Sequence, residues 1–304
     1  MTGIQECHVI PYNFTNTEEN MSEKMKNFII RTVFGVLFVA VMVGGIVWRP
    51  DIMVLLFAII TGMTLWEYTG LVNHIDSIQI NRSLSTIAGV YFFLAVAALQ
   101  IGLTNGFVIF IPYVFTLIYL IISELYLKLK SPINDWAYTM LGQMYIALPF
   151  SLINVLAFQP SANGGRTYDW LIPLSIFIFL WINDSGAYCF GSLFGKRKLF
   201  PRISPGKSWE GSIGGGTTVL IVAALIGYFE GNTQLNLISW MGLGLVVVVF
   251  GTWGDLVESL FKRTLGIKDS GNILPGHGGM LDRFDSSLLA IPAAVVYLYT
   301  LTLF

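Results

Sequence analysis

The chain has 304 residues, 55% of them hydrophobic and only 12% charged, with a mean hydropathy of +0.70. That balance excludes an ordinary soluble domain and fits a polytopic protein whose main solvent is lipid. The net charge of −1 gives no ground for a nucleic-acid partner, and Cys7 and Cys189, far apart and without metal-ligand spacing, read as ordinary thiols.

Residues 1–27 form a polar tail without the small-residue cleavage site of a secretory signal, and are predicted to be disordered. The rest, 28–304, reads as one all-α transmembrane catalytic domain. A helix needs roughly 20 apolar residues to cross the hydrocarbon core. About nine stretches qualify: 28–48, 52–68, 84–103, 106–127, 136–158, 170–190, 212–229, 237–258 and 286–304. Connections 49–51 and 104–105 allow only tight hairpins, whereas 191–211 and 259–285 are long and charged. Lys and Arg near helix ends are retained in the cytoplasm. With the N-terminus inside and the C-terminus outside, Lys24, Arg82, Lys128, Lys196, Lys207 and Lys262 fall on the inner side, and only Arg49 and Arg166 on the outer. Both charged loops then share the cytoplasmic face. Gly211, Gly214, Gly215 and Gly216 have a spacing that lets helices approach closely.

The first charged loop follows Asp184, in Trp181-Ile182-Asn183-Asp184-Ser185-Gly186, whose apolar surroundings point to the bundle interior. It continues through Lys196-Arg197-Lys198 to Ser204-Pro205-Gly206-Lys207-Ser208-Trp209-Glu210-Gly211. Gly206-Lys207-Ser208 is not a nucleotide-binding P-loop, because Pro201 stands where that pattern needs a glycine and no strand in a βαβ unit precedes it.

The second stretch, Gly254 to Asp285, packs acids, bases and a histidine between two apolar runs. Asp255, Glu258, Ser259 and Lys262 stand at i, i+3, i+4 and i+7, which puts them on one helix face. Asp282 and Asp285 open the last helix, where Asp285 also fits a capping position. Carboxylates from two helix ends, without the Cys and His of a zinc site, suit a hard cation such as Mg²⁺, which commonly also contacts substrate phosphates. His277 lies in Pro275-Gly276-His277-Gly278-Gly279, a turn whose backbone can approach an anion, with Lys262, Arg263, Lys268 and Arg283 around it in sequence.

Ser259, Lys262-Arg263, Lys268-Asp269, Gly271, Pro275, His277-Gly278-Gly279, Asp282-Arg283 and Asp285 together resemble the signature of the phosphatidate cytidylyltransferases, or CDP-diglyceride synthetases. The resemblance extends upstream through Asp184, Gly186-Ala187-Tyr188, Ser204-Pro205, Lys207 and Glu210-Gly211, and more loosely from about residue 28. Gly206 and Ser208 depart from it, standing where the family loop commonly has Lys and Thr. The resemblance implies transfer of CMP from CTP to phosphatidic acid, giving CDP-diacylglycerol and pyrophosphate, with a divalent cation at the cytoplasmic face of a membrane such as the bacterial inner membrane. It implies Asp255 and Asp282 in the metal centre, with Asp285 nearby; Asp184 and Asp285 are expected to complete or organise the acidic centre. Ser204, Lys207, Glu210, Lys262, Arg263, Lys268, His277 and Arg283 are the expected substrate contacts. A second cation and a homodimer remain open at this point. Two alternatives use the same residues: an ion path through a transporter or channel, and a CTP-dependent lipid kinase.

Overall fold

The computed structural model describes residues 14–104, 106–160, 165–231, 235–271 and 278–302. Its helices are α1 (Phe14–Val47), α2 (Pro50–Val72), α3 (Arg82–Ile101), α4 (Ile111–Leu127), α5 (Pro132–Gly142), α6 (Leu148–Ala157), α7 (Leu171–Phe194), α8 (Trp209–Glu230), α9 (Leu237–Thr264) and α10 (Leu281–Leu301). Among the described residues, eight helical spans are long and apolar enough to cross a membrane, and α1 adds the shorter apolar stretch Thr32–Val47. The chain is an all-α polytopic membrane protein.

Local chemistry sets the helix ends. Pro50 stands in the first turn of α2, where its missing N–H costs no bond. Asn81 caps α3 by accepting from Leu84 N at 3.0 Å, and Asn236 caps α9 by accepting from Ser239 N at 2.8 Å. Helices α5 and α6 form one continuous span, Pro132–Ala157, joined by a π-turn over Gln143–Ala147. The wider turn precedes Pro149, whose ring and missing N–H disfavour an uninterrupted α-helix.

Two short antiparallel ribbons decorate the bundle. Strands β1 (Phe158–Pro160) and β2 (Arg166–Tyr168) pair between α6 and α7. Strands β3 (Lys198–Phe200) and β4 (Ser204–Ser208) form a hairpin leading straight into α8, whose N-cap Ser208 accepts from Gly211 N at 3.2 Å.

Packing explains the glycines of α8. A Cβ on Gly215 would stand 2.6 Å from the Asn183 carbonyl oxygen, and one on Gly211 2.7 Å from that of Ala187, so α7 and α8 touch backbone to backbone. Between α9 and α10 the same holds at Gly254, where a Cβ would lie 2.7 Å from the Asp285 carbonyl oxygen. At the centre, Phe57, Phe150, Phe177 and Phe284 form an aromatic cluster with ring centroids 5.5–6.3 Å apart.

Three boundaries differ from the sequence expectation. The backbone is already helical at Phe14, where the sequence predicts a tail through residue 27, because Glu, Met and Lys in that stretch are good helix formers. At the two ends of the charged stretch 259–285 the helices run past the apolar spans 237–258 and 286–304: α9 continues to Thr264, and α10 starts at Leu281. Helix α9 has 28 residues, about 42 Å at 1.5 Å per residue, so it is longer than a hydrocarbon core of about 30 Å.

Candidate active site

The ends of α7 and α9, the starts of α8 and α10, the second half of α2 and the β3–β4 hairpin gather at one face of the bundle. Here Lys207 on β4 pairs with Asp255 on α9, with Nζ 2.5 Å from Oδ2. Arg263 at the end of α9 reaches back toward the Ile203 carbonyl oxygen of the hairpin turn at 3.5 Å. The two charged loops therefore share one side, and Asp255 and Asp282 lie on it together.

The polar stripe on α9 is real. Ser259 Oγ donates to Asp255 Oδ1 at 3.2 Å, and Lys262 Nζ lies 2.7 Å from Glu258 Oε2. Lys262 also donates to Asp282 Oδ1 at 2.6 Å, so its ammonium sits between an acid of its own helix and one of α10. Asp282 Oδ2 accepts from Ser270 N at 2.8 Å and Gly279 N at 2.9 Å. That carboxylate closes the two ends of the loop between α9 and α10. Asp285 lies a turn inside α10 rather than at its cap, and its Oδ1 accepts from Ser286 N at 2.5 Å.

Two cavities meet at the acids. The first, about 370 Å³, is walled by Phe34 and Phe38 of α1 and Phe177 and Trp181 of α7, and floored by Asp184, Asp255, Asp282, Arg283 and Asp285. The second, about 420 Å³, lies toward the hairpin and the start of α8 and is lined by Tyr188, Gly206, Lys207, Ser208, Ser212 and Thr252. Asp184 and Asp255 line both. One cavity thus joins hydrocarbon to carboxylate, the other joins a basic, small-residue loop to the same carboxylates.

A profile of the Cytidylyltransferase family matches residues 29–301, nearly the whole of the described bundle. The chain belongs to the cytidylyltransferase family. It is 50% identical over 122 residues to a phosphatidate cytidylyltransferase of Haemophilus influenzae, an alignment covering 39% of this chain and 42% of that protein. It is 43% identical over 158 residues to one from Staphylococcus aureus and 48% identical over 160 residues to one from Staphylococcus saprophyticus, each covering 52% of this chain and 57% of the relative. In these alignments the chain spans about half the length of the curated relatives it matches.

Against this cytidylyltransferase frame, the expected site residues divide into groups. Asp184, Lys207, Asp255, Asp282, Arg283 and Asp285 line the cavities, and Lys262 touches Asp282 from behind. Glu210 turns to the hairpin instead, accepting the backbone N–H groups of Lys196 and Arg197 at 3.1 Å. Ser204 lies within the hairpin register opposite Phe200, Arg263 donates to the loop carbonyls of Ile203 and Ile267, and Lys268 is exposed. His277 lies outside the described residues. Sequence reasoning passed over Glu67 on α2, a buried carboxylate bonded to Ser270, Met280 and Leu281. It is the one acid of the apolar stretch 52–68, and that isolation was the available signal.

Among the described residues no group of three or more His, Cys, Asp or Glu is arranged as a ready metal site. The donor chemistry nevertheless fits a hard cation: the acids at the cavity junction are carboxylates alone, drawn from α7, α9 and α10 and facing one space. Lys207 and Lys262 now contact Asp255 and Asp282, so a cation there competes with two ammonium groups for the same oxygens.

Proposed function

We propose that this chain is a phosphatidate cytidylyltransferase, transferring CMP from CTP to phosphatidic acid to give CDP-diacylglycerol and pyrophosphate. The observation that carries this reading is the meeting of an aromatic-walled and a lysine-bearing cavity at Asp184 and Asp255. A bilayer-bound acid and a soluble triphosphate need that meeting, and neither cavity alone provides it.

In this reading the lipid phosphate enters the first cavity with its chains along Phe34, Phe38 and Trp181, and the nucleotide phosphates occupy the second beside Lys207. A phosphate-monoester oxygen forms a bond to the α-phosphorus of CTP while the bond to the β-phosphate bridging oxygen breaks, and pyrophosphate carries off the electron pair. The second pKa of a phosphate monoester is about 6, so the nucleophile is largely ionised at neutral pH and needs no strong base. Lys207 and Arg283 offset the repulsion between the two anions and the charge growing on pyrophosphate. Asp255 and Asp282, with Asp184 and Asp285 beside them, are the residues that would hold Mg²⁺. When bound, the cation supplies charge neutralisation at the phosphates and orientation of the triphosphate. Glu210 and Arg263 keep the hairpin in place, and so hold Lys207 over Asp255. By the distribution of basic residues, the site faces the cytoplasm, with an inner membrane as the setting.

The test is purified full-length protein with phosphatidic acid, α-labelled CTP and Mg²⁺ in lipid–detergent micelles, with Asp282→Asn alongside. Labelled CDP-lipid and pyrophosphate, lost in the variant, are the expected products. CDP with a phosphorylated lipid identifies a lipid kinase instead, and ion flux in proteoliposomes without CDP-lipid identifies a transporter.

A further inference from the structure

Glu67 is only 6% exposed, deep in the second half of α2. Its carboxylate is satisfied by a segment more than 200 residues away. Ser270 Oγ donates to Oε1, Leu281 N–H donates to Oε1 at 3.1 Å, and Met280 N–H donates to Oε2 at 2.8 Å. Helix α10 needs such an acceptor, because its N-cap, Met280, makes no side-chain capping bond. A carboxylate at that end also complements the helix dipole, and hydrogen bonds to a charged acceptor are the stronger kind.

Ser270 is held twice: Glu67 takes its hydroxyl, and Asp282 takes its backbone N–H at 2.8 Å. The glycines on either side of the loop fit the same carboxylate. A Cβ on Gly271 would come 2.8 Å from Glu67 Oε2, and one on Gly279 would overlap the carboxyl group itself. Glu67 thus fills the space those glycines leave, and its bonds end one residue before Asp282.

We propose that Glu67 is a positioning residue for the reaction, fixing the first turn of α10 from another helix so that Asp282, Arg283 and Asp285 face the first cavity. This rests on reading that cavity as the seat of cytidylyl transfer. Groups that orient a reacting centre from behind typically cost about 10–100-fold in activity or metal affinity when removed, and a displacement of about 1 Å at such a centre costs about 10²-fold.

The experiment compares full-length wild type with Glu67→Gln, Glu67→Asp, Glu67→Ala, Gly279→Ala and the Glu67→Ala/Gly279→Ala double variant. Hydrogen exchange of the peptide covering 278–285 reads the start of α10 without any turnover. Glu67→Gln is expected to speed that exchange about tenfold while other helices exchange as in wild type, and to lower kcat by about 10–100-fold with the KM for CTP within about threefold. Glu67→Asp, which keeps the charge, recovers part of kcat, and it serves for every measurement should Glu67→Gln fail to fold. Gly279→Ala is expected to be severely impaired, because its Cβ falls on the Glu67 carboxyl group and against Ser270 Oγ, a hydroxyl that the same carboxyl holds in place and that is free to rotate once Glu67 is removed. The double variant is then no worse than Glu67→Ala, the non-additivity of two groups in contact. Unchanged exchange at 278–285, a lowered Tm with wild-type kcat, or simple addition of the two effects overturns the proposal. If wild type forms no CDP-lipid, the cytidylyl reading falls, while the exchange data and the same double-variant cycle run on Tm still decide Glu67's role.

Discussion

Replacing Lys262 by Met tests the charge arrangement behind the acidic centre. Its ammonium lies 2.7 Å from Glu258 and 2.6 Å from Asp282, and the side chains are 12%, 0% and 7% exposed respectively. The substitution keeps most of the apolar stem and deletes the one cation between two buried carboxylates. Removing one partner of a buried ion pair costs about 3–5 kcal/mol, chiefly because the remaining charge is left uncompensated. Set against a total stability of about 5–15 kcal/mol, the loss is easily measured. Asp282 keeps its bonds from Ser270 N and Gly279 N, so the damage concentrates on Glu258. A Lys262→Met/Glu258→Leu protein, with both charges gone, is therefore expected to recover most of the stability, although not the activity. The assay is reversible unfolding in mixed micelles followed by tryptophan fluorescence, run as a double-mutant cycle. A Lys262→Met protein within about 0.5 kcal/mol of wild type, as at an unremarkable surface position, or a double variant no better than the single, refutes the reasoning.

Three further outcomes are expected. Asp255→Asn should cut CDP-lipid formation by about 10²–10³-fold, yet shift unfolding by less than about 1 kcal/mol, since its pair with Lys207 is 26% exposed on both sides; retained turnover would remove Asp255 from the site. Phe38→Ala deletes a ring that packs edge-on against Trp181 at 6.4 Å and Phe284 at 5.8 Å. It should raise the KM for phosphatidate about tenfold and leave that for CTP unchanged, and an equal rise in both would separate the cavity from the lipid. Gly254→Ala places a Cβ 2.7 Å from the Asp285 carbonyl oxygen and 3.0 Å from Ser286 Cα, both backbone, so α10 must shift. A loss of about 1–3 kcal/mol in the unfolding assay is expected, with turnover falling alongside; a variant indistinguishable from wild type would mean that the helices are not in contact there.

The spans were legible because hydropathy depends on local composition and a bilayer demands about 20 apolar residues per helix. Their ends near charge were not. The apolar spans stop at 258 and begin again at 286, whereas the helices run on to Thr264 and start at Leu281, with Lys262 paired to both Asp282 and Glu258 inside the bundle. The face shared by Asp255, Glu258, Ser259 and Lys262 follows from helical spacing alone and is found as expected. Glu210 and Arg263 illustrate the opposite case: residue type and motif position mark them as important, while only the fold shows that they bond the hairpin backbone. Glu67 escaped because its partners are distant in sequence and include two backbone N–H groups, which no motif displays.

The long-range bond set of Glu67 also bears on how the molecule is made. Ribosomes add about 5–20 residues per second, so roughly 10–40 s separate the synthesis of Glu67 from that of Ser270, Met280 and Leu281. Through that interval α2 must carry a carboxylate whose final partners do not yet exist. Completion of the last helix supplies them, so a chain stalled before α10 still holds an unmet acid on α2.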